Sequence, residues 1–182
     1  MTSTKFHIRP LTDKLRLQEI YNLRVVAWEH STQKQFVNGH YFPDGWKDHL
    51  DEKAIHWIIE EGNKIVASSR ICILNDTAEI EENFSKFELP LQRPFAFFSR
   101  LVVHPNFRNK GITKLMDNAR LKFIQDQNIN FALAYIEKKG GRKDSLLSMG
   151  FEELGEFEHQ YGQNPKIEHC TALILHKKNI KL

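Results

Sequence analysis

Apolar and polar positions along the chain switch repeatedly between a two-residue period and a helical one, which predicts a mixed α/β domain. Residues 6–9 (Phe-His-Ile-Arg) read as a short strand stopped by Pro10. Thr12 or Asp13 then offers a helix N-cap. Leu15, Ile20, Leu23, Val26 and Ala27 gather near one face, so the spacing predicts an amphipathic helix over 13–30. Residues 31–50 are polar and aromatic, and Gly39, Pro43 and Gly45 interrupt them. They read as a loop with a short second helix from Trp46 to Asp51. Residues 55–60 and 64–74 are strands, and Glu61-Gly62-Asn63 between them is a hairpin signal.

Residues 75–94 form an irregular connection. Residues 95–103 are almost continuously apolar, as expected of a strand covered on both faces. His104-Pro105-Asn106 ends that strand. The clearest helix runs over 109–127, where Ile112, Leu115, Met116, Ala119, Phe123 and Ile124 recur at helical spacing. Residues 131–135 read as another buried strand. A short helix over 142–149 is closed by Gly150, and 151–157 and 170–176 are the last two strands.

Composition adds limits rather than identity. The 182 residues fit a single domain, 1–182, and 41% hydrophobic with 27% charged residues is ordinary for a folded soluble chain. Lys and Arg number 26 against 23 acids, a net charge of +3. A nucleic-acid binder shows a stronger and more clustered excess, so none is expected as a partner. Cys72 and Cys170 both sit in apolar runs and read as buried thiols. Residues 1–10 contain no secretory pattern, and no apolar run approaches the ~18 residues of a membrane span. A cytoplasmic chain without membrane contact is the expectation. The spacings of His30, His40, His49 and His56 match no compact metal motif, so no metal is expected.

The stretch that carries chemistry is Leu101-Val-Val-His-Pro-Asn-Phe-Arg-Asn-Lys-Gly-Ile-Thr113, a buried strand running into a long helix. The first helical turn leaves backbone N–H groups unpaired at the positive end of the helix dipole, where diphosphates bind. Gly111 lets an anion approach the backbone, and Arg108 and Lys110 bring positive charge to the same turn.

This stretch resembles the acyl-CoA signature of the GNAT N-acetyltransferase superfamily: a strand ending in Val-x-Pro, then Gln/Arg-x-x-Gly-x-Gly/Ala. Gly150-Phe151 matches the Gly-Phe that follows the family's last helix, and the element order agrees over the whole chain. The resemblance implies a GNAT-type α/β fold, with a mixed, mostly antiparallel central sheet flanked by helices in three layers. It implies acetyl-CoA as acyl donor. The backbone of Leu101, Val102 and Val103 would pair with the pantetheine arm and polarise the thioester carbonyl. Backbone N–H groups of Arg108, Asn109, Lys110, Gly111, Ile112 and Thr113 would cradle the pyrophosphate. Thr113 stands where the family usually has Gly or Ala.

Two departures concern catalysis. The family's Tyr four residues before the Gly of Gly-Phe is Leu146 here, which leaves Tyr135, Ser145 or Ser148 as stand-ins for the acid that protonates the thiolate. Tyr135 is equally a candidate core aromatic. The family's strand Glu is missing from Phe95-Ala-Phe-Phe-Ser-Arg100, which leaves Glu60, Glu79, Glu81 or Glu137 as alternative bases or plain surface acids. Tyr41 and Trp46 fall in the loop where the family builds its acceptor wall and are equally candidates for packing against the core, and residues 75–94 could add a second wall.

The activity implied is acetyl transfer to a primary amine of a small molecule or peptide by direct attack, in a monomer or homodimer. Ser99-Arg100 also resembles related synthases of acyl-homoserine lactones and N-acyl amino acids, which use longer acyl donors. There the pattern is Glu-x-Ser-Arg, and Phe97 replaces the Glu. A CoA-binding regulatory module without catalysis is the third possibility.

Overall fold

The computed structural model describes residues 6–80, 84–138 and 141–182. Among the described residues seven strands, β1 (Ile8–Pro10), β2 (Ile55–Glu61), β3 (Lys64–Leu74), β4 (Phe95–Val103), β5 (Phe131–Glu137), β6 (Glu152–Gln160) and β7 (Ile167–His176), lie in the order β1-β2-β3-β4-β5-β7-β6. The helices are α1 (Leu17–Glu29), α2 (Ile112–Asp126) and α3 (Lys143–Ser148). The chain divides into two compact units, Met1–Arg70 with Arg100–Ala119, and Ile71–Ser99 with Arg120–Leu182.

In the first unit, neighbouring strand residues face opposite ways and two helices cover the two faces. Ile58, Ile65 and Val102 pack with Leu17, Ile20, Leu23 and Ala27 of α1. Their neighbours Ile59, Val66 and Val103 pack with Ile112 and Met116 of α2. Each fully buried Ile or Leu here contributes on the order of 1.5–3 kcal/mol. β1 pairs antiparallel with β2, and Pro10 is the last residue of β1 rather than its stop.

α1 is preceded by a 3-10 turn, Lys14–Arg16, capped by Asp13, whose Oδ1 accepts from Leu15 N at 2.9 Å. This turn rotates Leu15 out of the helical stripe, so Leu15 is 91% exposed instead of joining the predicted face. The expected helix over Trp46–Asp51 does not form. Asp48 and Asp51 spend their carboxylates on local backbone, Asp48 Oδ1 accepting from Leu50 N and Asp51 Oδ2 from Asp48 N, both at 2.9 Å. Such side-chain bonds hold a turn in place of helix.

In the second unit β4 and β5 run parallel, whereas β5 with β7 and β7 with β6 are antiparallel. Cys72 and Cys170 are buried thiols outside any disulfide. Gly150 follows α3 at φ +103°, and a Cβ there would stand 2.0 Å from the carbonyl oxygen of Asn179. Gly62, in the β2–β3 turn at φ +59°, faces open space. Gly150→Ala is therefore expected to lower stability by about 2 kcal/mol or more, a fall in Tm of about 5 °C, and Gly62→Ala by about half as much. Thermal unfolding followed by circular dichroism measures both.

Candidate active site

The signature segment lies wholly in the first unit. β4 is buried along its length except for half-buried Leu101. Its register with β5 pairs Ala96, Phe97 and Phe98 and ends there. Two residues later Arg100 adopts φ +53°, a left-handed conformation that is unusual for a residue with a side chain and rare inside a strand. After Val103, His104 caps a 3-10 turn over Pro105–Phe107, its Nδ1 accepting from Asn106 N at 3.3 Å. Asn109 (φ +61°) and Gly111 (φ +74°) then complete the turn into α2.

α2 starts at Ile112, three residues later than its spacing predicts, because these two left-handed residues keep 109–111 outside the helix. The helical bond to Gly111 O comes from Leu115 N at 3.2 Å, so the N–H groups of Ile112, Thr113 and Lys114 precede it. Asn109, Lys110 and Gly111 are exposed, and a Cβ on Gly111 would have no atom within 4 Å. Lys110 Nζ stands 4.9 Å from the Phe107 ring centroid. The geometry is a bare, positively charged turn at a helix start, the kind of surface that accepts an anionic diphosphate.

Arg108 departs from the mobile cation expected of it. Its guanidinium donates to His30 O at 2.5 Å and to Ala27 O, and its backbone N–H to Pro105 O at 3.3 Å. It satisfies carbonyls at the C-terminal end of α1, a helix with no basic residue in its own last turn. The Arg108 side chain therefore joins the signature turn to α1.

Beneath the β4 kink lies a buried charge network that hydropathy does not reveal. Arg24, fully buried, donates to both Asp51 oxygens at 2.8 and 2.9 Å and to Trp46 O at 3.0 Å. Arg70 on β3 donates to Asp48 Oδ1 at 2.5 Å and Asp51 Oδ1 at 2.9 Å. Arg100 on β4 donates to Asp48 Oδ2 from NH2 at 2.8 Å and from Nε at 3.2 Å. Burial alone would raise both aspartates. The charges of Arg100 and Arg70, followed by their hydrogen bonds, instead hold Asp48 well below the carboxylate range. The Arg24 hydrogen bonds do the same for Asp51, followed by the charges of Arg24 and Arg70. Trp46, 4% exposed, lies with its ring centroid 4.0 Å from the Arg100 guanidinium carbon and packs edge-on against Trp28 at 5.1 Å. The Trp46 ring expected in an acceptor wall is thus committed to packing. Tyr41 is half-buried, edge-on to His40 at 4.8 Å.

The remaining candidates lie elsewhere. Glu60 accepts from Arg9 Nε at 2.9 Å and Arg16 NH1 at 2.5 Å, and these bonds, that of Arg16 foremost, hold its carboxyl low, which unfits it as a base. Glu79 is half-buried at the end of a 3-10 turn, Glu137 half-buried on β5, and Glu81 lies outside the described residues. In the second unit, Tyr135 is half-buried among the rings of Phe97 (6.3 Å, near parallel), Phe157 (5.8 Å) and His159 (5.6 Å). Ser145 is half-buried on α3, and its carbonyl accepts from the exposed Ser148 hydroxyl at 2.7 Å. Leu146 is a core residue at 2% exposure. The 75–94 connection contributes Glu88, Leu89 and Pro90 to a cavity of about 360 Å³ that Glu152, Glu153 and Ile174 also line. Among the described residues no group of three or more His, Cys, Asp or Glu is arranged to hold a metal ion, and no helix is long and apolar enough to cross a membrane.

A strand kinked after its paired segment, followed by a bare turn and a helix start, offers a place for an anionic diphosphate. The acetyltransferase (GNAT) family model matches residues 17–146, and the chain belongs to that family. No curated protein matches it in sequence. Solved structures do resemble it in fold. The ribosomal-protein-S18-alanine N-acetyltransferase from Escherichia coli superposes with a TM-score of 0.64 at 13% identity, over 98% of this chain and 100% of that one. The yncA protein of Salmonella typhimurium, solved with its cofactor acetyl-CoA, gives 0.63 at 14% identity, over 98% of each chain. A CoA-dependent acyl-homoserine lactone synthase, BjaI, solved with SAM and isopentyl-CoA, gives 0.68 at 16% identity, over 96% of this chain and 86% of that one.

His56 reports on the network. It is buried beside it, Nε2–H donating to Asp51 O at 2.9 Å. Burial, with the charges of Arg24 and Arg70, pushes it down from 6.5 to about 4, against the Asp51 hydrogen bond and charge. The unfolded chain takes up this proton near pH 6.5 and the folded chain only near pH 4. The contribution to stability is therefore whole above pH 6.5 and is lost as pH falls toward 4, by ~3 kcal/mol at most. His56→Gln is expected to flatten the fall in Tm between pH 7 and 4.5. Parallel slopes for the variant and the parent chain would contradict this assignment.

Proposed function

We propose that residues 1–182 act as one acyltransferase domain that moves an acetyl group from acetyl-CoA to a primary amine of a small molecule or peptide by direct attack. Acetyl-CoA supplies the thioester. The backbone of Leu101, Val102 and Val103 would align the pantetheine arm. Asn109, Lys110, Gly111, Ile112 and Thr113 would hold the diphosphate, and Arg108 would support them by docking the turn on α1. The observation that carries this reading is the bare turn with Lys110 and open Gly111 at the start of α2, directly after β4. Thr113, half-buried, brings a hydroxyl to the same turn.

Tyr135 and Ser145 remain the proposed proton donors to the leaving thiolate, and Tyr41 the proposed acceptor-side residue, Trp46 being packed over Arg100. A thiol of pKa ~8.5 leaves near neutral pH with little help, so the loss of the family's Tyr at Leu146 is tolerable. Freeing a lysine amine at pH 7 costs about 4.6 kcal/mol against only ~1 for an α-amine, which favours an acceptor of modest pKa. The alanine N-acetyltransferase among the similar structures is consistent with that preference. A second reading, a longer acyl donor, is favoured by Ser99-Arg100 on the kinked strand and by the fold likeness to the lactone synthase.

The test is thiol release from acetyl-, isopentyl- and octanoyl-CoA across a panel of amines, with CoA-dependent shifts in Tm alongside. Acetyl-CoA is expected to raise Tm by several degrees and to turn over with α-amines above lysine side-chain amines. Faster release from octanoyl-CoA would select the second reading, and stabilisation without release a binding module. Gly111→Val is expected to weaken acetyl-CoA about tenfold or more, because a β-branched residue resists φ +74° and fills the open space left to the diphosphate.

A further inference from the structure

The left-handed residue in β4 is an arginine, where glycine would adopt the same backbone freely. For an L-residue with a Cβ this conformation costs about 1–2 kcal/mol, so something must hold it. Asp48 and Trp46 hold it. Asp48 accepts two bonds from the Arg100 guanidinium with one oxygen and binds Arg70 of β3 with the other. The Trp46 ring covers the guanidinium from 4.0 Å. Both partners come from the loop between α1 and β2, and the Arg100 side chain is 3% exposed.

We propose that Asp48 is a positioning residue for the acyl donor. By clamping Arg100 between itself and Trp46, it holds the kink that separates the β5-paired segment, Ala96–Phe98, from the backbone of Leu101–Val103. It acts on the pantetheine arm through β4 and touches no substrate. This rests on the acyl-CoA reading above. It also gives Arg100 a backbone role: the arginine is there to be held, and a residue that adopts the left-handed conformation unaided replaces it.

The experiment measures the affinity of purified full-length variants for two probes by calorimetry. One probe is acetyl-CoA. The other is adenosine 3′-phosphate 5′-diphosphate, which carries the diphosphate and lacks the pantetheine arm. Asp48→Asn is expected to weaken acetyl-CoA about tenfold and leave the nucleotide within about twofold, as the release of a 1–2 kcal/mol backbone constraint requires. Arg100→Val is expected to lose acetyl-CoA affinity likewise, because a β-branched residue avoids this region. Arg100→Gly and Arg100→Asn are expected to keep it, and Asp48→Asn with Arg100→Gly to regain it. Equal losses for the Gly, Asn and Val variants would overturn the proposal, since the guanidinium itself would then matter. Unchanged affinity in Asp48→Asn, or equal weakening of both probes, would also overturn it. If Asp48→Asn does not unfold cooperatively, the Arg100 series decides. A parent chain that binds neither probe removes the acyl-CoA reading itself, a result distinct from all of these.

Discussion

Two aspartates and three arginines, all buried in the first unit, are the constraint around which its loop and strands are arranged. Charges out of water are tolerated only when their partners are close and well directed. Asp51 faces Arg24 with both oxygens and shares one with Arg70, and Asp48 spans Arg70 and Arg100. The partners come from α1, the loop after it, β3 and β4. Removing one of them strands a buried charge at a cost of about 3–5 kcal/mol, so the loop has little freedom to leave. His56, beside the network, stays neutral until the pH falls to about 4. Trp46 covers the Arg100 guanidinium.

The same network explains why part of the fold was readable in the sequence and part was not. β2, β3, β4, β5 and the two long helices follow hydrophobic periodicity, because each buries a stripe or a face against its neighbours. Ile58 and Ile59 point to opposite faces and pack with different helices. Periodicity does not see a polar group that is buried because it is paired. Arg24 lies in the middle of α1 and Arg70 in the middle of β3, at positions where the pattern demands an apolar residue. An arginine at an apolar position was the available signal, and the acids that answer it sit in a loop that reads as surface. The helix expected over Trp46–Asp51 failed for this reason, since Asp48 and Asp51 serve the turn and the arginines together.

The candidate site divides the same way. Order and motif pointed to the strand, the turn and the helix start, because backbone geometry follows from Gly111 and from the apolar run before it. Side-chain roles were less legible. Arg108 looks like a free cation in sequence, yet it closes α1, a partnership across about eighty residues that no local pattern encodes. Trp46 looks like a pocket wall and is a lid on Arg100. The left-handed backbone at Arg100 has no sequence signal at all, since the residue that usually marks it is glycine.

These reassignments bear on how the chemistry would be driven. The place where the family pattern puts an acid holds Leu146, at 2% exposure, β4 carries no carboxylate, and Glu60 is tied to two arginines. On the proposed acyltransferase reading, the rate would come mainly from placement of a partly free amine against a thioester held in line. Placement demands a rigid strand end, and rigidity at a left-handed arginine demands the clamp beneath it. On the positioning proposal the buried charges set the precision of the site without touching substrate. Their desolvation is tolerated because a close-packed apolar substitute could hold the loop but would have no directed bond with which to hold the kink.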